Sequence, residues 1–69
     1  MKAISITERF PDDGKRVLIF DSTYSEWNVG WNAWRHQVGG TSRPGRWILP
    51  LGDGDDMNIT HWAELPDNP

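Results

Sequence analysis

Sixty-nine residues form one small domain, and with no cysteine the chain has neither a disulfide staple nor a thiolate with which to hold a metal or attack a substrate. A net charge of −3 divides unevenly: residues 1–46 carry all seven Lys/Arg and five of the ten Asp/Glu, a net of +2, while residues 47–69 carry five acids and no base, a net of −5. The acidic third disfavours duplex nucleic acid as a partner, and the longest apolar run, Val17 to Phe20, is far short of the ~20 residues of a membrane helix, so a soluble, cytoplasmic protein is expected.

The first segment, Ile4 to Phe10, is short and mixed, and reads as a turn or short helix beginning at Thr7. Phe10-Pro11-Asp12-Asp13-Gly14 is a turn signal, because proline presets φ and aspartates bond their own backbone. Val17-Leu18-Ile19-Phe20 is apolar at every position and predicts a central strand covered on both faces, ending at Asp21-Ser22. Ser25 to Arg35 alternates, with Trp27, Val29, Trp31 and Ala33 on one face and Glu26, Asn28, Gly30, Asn32 and Trp34 on the other. This is the period of one strand of about ten residues, or of two broken by a bulge at Gly30. Gln37 to Gly45, with three glycines and a proline, predicts a mobile loop. Arg46 to Leu51 reads as a strand cut short or held at an edge by Pro50, and Gly52 to Asp56 as the turn of a hairpin to Asn58–Leu65. The last strand, Ile59 to Leu65, is ended by Pro66, and residues 66–69 read as a frayed tail.

These elements predict a mainly β domain spanning 1–69, a small twisted antiparallel sheet of three or four strands with a short N-terminal turn or helix on one side. Its centre is Val17–Asp21, Glu26–Arg35 and Ile59–Leu65. The five tryptophans supply the core that a chain this short otherwise lacks, with Trp31 and Trp62 expected inside and Trp34 partly exposed on a polar face. Open sheet edges invite pairing, so a homo-oligomer or a partner complex is expected.

Catalytic and metal-binding readings find little support. His61 is the first candidate for proton transfer, but Thr60 and His61 alternate in a strand and should point to opposite faces. His36 and His61 with scattered carboxylates make a poor ligand set, Asp53-Gly54-Asp55-Asp56 lacks the spacing of a calcium loop, and no serine lies in a nucleophile elbow. No enzyme, cofactor or metal is therefore expected. The expected binding features are an aromatic patch at Trp34 rimmed by Arg35, Arg43 and Arg46, and the acidic turn Asp53, Asp55, Asp56. An aromatic platform for single-stranded nucleic acid or carbohydrate is the alternative use of the same residues.

Thr60-His61-Trp62, Leu65 and Pro66 form a T-H-W-x-x-L-P motif, preceded near the start by Ile4-Ser5, Thr7-Glu8-Arg9-Phe10-Pro11, the Asp12-Asp13-Gly14 turn and Val17-Leu18-Ile19. In that order and spacing the chain resembles a family of uncharacterised domains from bacteriophages and prophages. It is also similar to the C-terminal module of lambdoid-phage early proteins encoded between the exonuclease and excisionase genes. Ala3 stands where the family usually has tryptophan, and Ala63-Glu64 where it often has methionine and proline. The family carries no catalytic residues to transfer. The resemblance implies a phage-encoded accessory protein of the bacterial cytoplasm. It would bind a host or phage protein, with a possible role in the lysis–lysogeny decision.

Overall fold

The computed structural model describes residues 2–66; the tail expected to fray lies largely outside the described residues. The chain makes six strands, β1 (Ile4–Ser5), β2 (Val17–Asp21), β3 (Glu26–His36), β4 (Ser42–Leu49), β5 (Gly52–Asp53) and β6 (Ile59–Ala63). They form one antiparallel sheet in the order β1-β6-β2-β3-β4-β5. The class is mainly β as expected, but the sheet has six strands rather than three or four, and the N-terminal element is a turn, with no helix among the described residues. That turn is closed by Glu8 and Arg9 N–H groups donating to the Ser5 carbonyl at 2.9 and 3.3 Å.

The expected hairpin between the fourth strand and the last does not form. β4 turns back at Pro50-Leu51 onto the two-residue β5, while β6 crosses the molecule and inserts between β1 and β2. The segment from Ser42 to Gly45, expected as loop, belongs to β4, because pairing with β3 overrides the glycine and proline signals. Likewise Gly30 does not interrupt β3. It sits where a Cβ would meet the Ile48 carbonyl oxygen at 2.7 Å and Ile19 Cδ1 at 2.9 Å, so its missing side chain admits close approach instead of a bulge.

Opposed residues in an antiparallel pair share a face, so the pairings sort the side chains. Ile4 opposite Trp62, Trp62 opposite Ile19, Val17 opposite Gly30 and Asn32 opposite Trp47 define the inner face. Its core is Ile4, Val17, Ile19, Ile59 and Trp62, with Ile6, Trp47, Leu49 and Met57 packed against it. The other face carries Leu18, Phe20, Trp27, Val29, Trp31 and Ile48.

Which face is covered follows from the strap, residues 6–14. Trp62 Nε1 donates to the Arg9 carbonyl at 2.9 Å and Trp34 Nε1 to the Pro11 carbonyl at 3.0 Å, Phe10 stacks on Trp47 at 5.9 Å, and Pro11 is fully buried. β3 runs on past the end of β2, whose last partner on it is Gly30. The strap satisfies the backbone groups left open there, Gly14 N–H donating to the Asn32 carbonyl at 3.0 Å and Asp13 Oδ1 accepting from Trp34 N–H at 2.9 Å.

Three expectations are corrected here. β2 is paired on both sides but covered on only one face, so Leu18 and Phe20 are half-buried. Trp31 lies on the outer face, half-buried, with the Arg16 guanidinium over its ring at 5.2 Å. The tryptophans therefore do not share one dry interior, and only Trp62, 1% exposed, is fully enclosed.

Candidate functional site

The outer face has a graded composition. At one end Phe20 lies against Trp27, ring centroids 5.1 Å apart, and against the edge of His61 at 6.4 Å. Leu18, Val29 and Ile48 fill the middle, Val29 being 37% exposed, and Trp31 with Arg16 follows. Arg46, Arg35 and Arg43 form the far end.

Of the residues the sequence singled out, several have internal partners. Trp34 is half-buried on the inner face, on the opposite side from the arginines it was expected to accompany, with its indole bonded to the strap. Arg46 forms a two-point ion pair with Asp55, which holds the guanidinium above its ordinary pKa. Asp53 Oδ1 accepts from Asp55 N–H at 3.3 Å, so the acidic turn is partly folded on itself and partly on Arg46. Asp56 is exposed. Among the described residues, neither Arg35 nor Arg43 has an ion-pair partner.

The arginines owe their positions to a bulge. Ala33 opposes Arg46 and Arg35 opposes Arg43, so β4 supplies Pro44 and Gly45 against the single β3 residue Trp34. Asn32, 0% exposed, holds this irregularity. Its Nδ2 donates to the Gly45 carbonyl at 3.1 Å, and its Oδ1 accepts from Gly45 N–H at 2.8 Å. No side chain is tolerated at Gly45, where a Cβ would overlap the Ala33 carbonyl oxygen.

A second constellation escapes sequence reasoning. His36 Nδ1 lies 2.8 Å from Ser42 Oγ and its Nε2 lies 2.7 Å from Asp13 Oδ2. Asp13 is 23 residues from His36, so only the strap's path brings them together. The Trp34 N–H and then His36 hold the Asp13 carboxyl below the ordinary 3.8. The order Ser-His-Asp suggests a nucleophile relay, but all three groups are exposed side chains at a hairpin end. What the geometry does is fasten the strap to β3 and β4. A groove of about 770 Å³ lies elsewhere, between Lys2, Ile4, Glu8, Arg9, Glu64, Leu65 and Pro66, and its charges of both signs mark no one ligand.

Comparison with known proteins gives a family. The model of a protein family of unknown function, DUF551, matches residues 4–69. The chain belongs to this family. A relative of the DUF551 chain, the uncharacterized protein YfdS of Escherichia coli K12, is 32% identical over 69 residues. That alignment covers 99% of this chain and 58% of the relative, so the chain spans little more than half of that protein's length. No solved structure matches.

In this DUF551 domain the T-H-W-x-x-L-P segment is architectural. Trp62 plugs the core and bonds the strap, with Arg9 over its ring at 5.0 Å, while Leu65 is half-buried and Pro66 exposed beyond the strand's end at Ala63. Thr60 and His61 correct the alternation argument. Phe20 opposes His61 and Asp21 opposes Ile59, leaving Thr60 as an extra residue in a bulge. Alternation fails there, and Thr60 Oγ1 lies 2.9 Å from His61 Nδ1.

Proposed function

We propose that the chain is a docking module that acts by binding rather than by catalysis, within a phage- or prophage-encoded accessory protein of the bacterial cytoplasm. Its partner is a host or phage protein with an apolar patch flanked by acidic groups, and control of the lysis–lysogeny decision is one process such a contact would serve. One observation carries this reading: the strap closes the inner face, while Leu18, Phe20, Trp27, Val29, Trp31 and Ile48 lie on a sheet face that no other described segment covers and that ends in Arg35 and Arg43, which have no ion-pair partner among the described residues. An apolar centre with a charged rim matches the anatomy of protein interfaces, and the basic end selects an acidic counterpart.

A nucleobase platform is less well supported. The aromatic rings are interleaved with aliphatic side chains, and the face of Trp31 is already occupied by Arg16.

A photoreactive benzoylphenylalanine at Val29, expressed in a phage-bearing cell, tests the reading. The expected adduct joins Val29 to a protein segment with apolar residues beside acidic groups, and charge reversal by Arg35→Glu with Arg43→Glu abolishes it. Adducts only with nucleic acid, only with a second copy of the chain, or with nothing would contradict the reading.

A further inference from the structure

Arg35 and Arg43 stand directly opposite each other across β3 and β4. Like charges in that relation destabilise a sheet. Had the ladder continued regularly from Ala33 and Arg46, residue 35 would face residue 44, a proline; the extra β4 residue brings Arg43 there instead. Three costly features uphold that shift: a buried amide at Asn32, a glycine at 45 that admits no side chain, and a proline inside a strand. Bulges commonly serve to re-aim a side chain, and here the re-aimed residue is a second arginine opposite the first, both lining one depression.

We propose that Arg35 and Arg43 form an anion clamp that takes the phosphate of a phosphomonoester on the docked protein. The depression lined by Arg35, Arg43, Pro44, Gly45 and Arg46, about 400 Å³, is its seat. Each guanidinium offers a planar fork of N–H donors, and two forks match a tetrahedral group with three free oxygens better than a planar carboxylate. A phosphomonoester carries close to two negative charges at neutral pH, one for each arginine, whereas a phosphodiester carries one. The residues lining the depression include no aromatic ring on which successive bases could stack, which favours a modified side chain over a nucleic-acid strand. Only the identity of the carrier rests on the protein-docking reading; the anion site itself does not.

Titration of the isotope-labelled chain with inorganic phosphate, at constant ionic strength set by sodium chloride, tests the clamp through the Nε–H resonances of Arg35 and Arg43. Saturable shifts at both are expected, and Arg35→Gln or Arg43→Gln each weakens binding by about fivefold or more while the remaining amide spectrum is unchanged. A phosphoserine peptide binds more tightly than a dinucleotide phosphodiester. Shifts that do not saturate, equal binding by the Gln variants, or tighter binding of the phosphodiester would overturn the assignment. The titration needs no partner, so its failure leaves the Val29 crosslink standing, and failure of the crosslink leaves the clamp standing.

Discussion

Asn32 is enclosed, yet its amide nitrogen and oxygen both engage the backbone of one residue, Gly45, through its carbonyl and its N–H. Asn32→Leu would keep the volume and strand the Gly45 N–H and carbonyl without partners, so a loss of about 3 kcal/mol in urea unfolding is expected. Trp62 combines packing with a bond to the Arg9 carbonyl, and Trp62→Phe is expected to cost about 2–3 kcal/mol in the same measurement. Asp13 sets an acid limit. Its folded carboxyl ionises below the ordinary 3.8, so between those two values the unfolded chain binds more protons. The stabilisation is fully present above about pH 4 and fades as pH falls through the lowered value. Asp13→Asn should therefore narrow the stability difference between pH 7 and pH 3 in denaturant titrations. The sequence marked Asn32 as one of a polar row and left Asp13 to a turn. Their roles depend on residues 13 and 21 positions away, a separation that local spacing does not encode.

Strands were the most legible elements. β2 and β6 follow from runs of β-branched and aromatic residues, and β3 from its alternation. What alternation left open was which of its two faces the chain would cover. Counting apolar side chains favoured Trp27, Val29, Trp31 and Ala33, whereas the covered face is that of Gly30, Asn32 and Trp34, because the strap's carbonyls need the Trp34 and Trp62 indoles as donors. Glycine and proline misled at β4 for a related reason, since both serve a bulge that only pairing with β3 reveals. β1 and β5 have two residues each, and β5 pairs only with Ile48 and Leu49, so among the described residues Ser42 to Arg46 of β4 is also an edge, blunted by its bulge and by Pro44. The β2–β3 turn holds Ser25 at φ 53°, a region costly for any residue with a Cβ. Ser25→Gly is expected to raise stability by about 0.5 kcal/mol, after allowing for the freer unfolded chain, as read by thermal or urea unfolding.

At the scale of the whole molecule, one sheet has a closed side and an open side, and the functional reading depends on that asymmetry. A single-layer sheet with a strap buries a modest core, so the outer apolar face is surface that a partner can still remove from water. The candidate site was half legible: Arg35 and Arg43 were identified from composition, but the bulge that opposes them, and the outer position of Trp31, follow from register. The asymmetry can be measured by relaxation of methyl protons with a dissolved paramagnetic probe, in dilute solution of the isolated chain. The Leu18 and Val29 methyls should relax strongly and those of Val17 and Ile19 weakly, unchanged on dilution. Equal protection of all four residues, or stronger relaxation of Val17 and Ile19, would contradict the account.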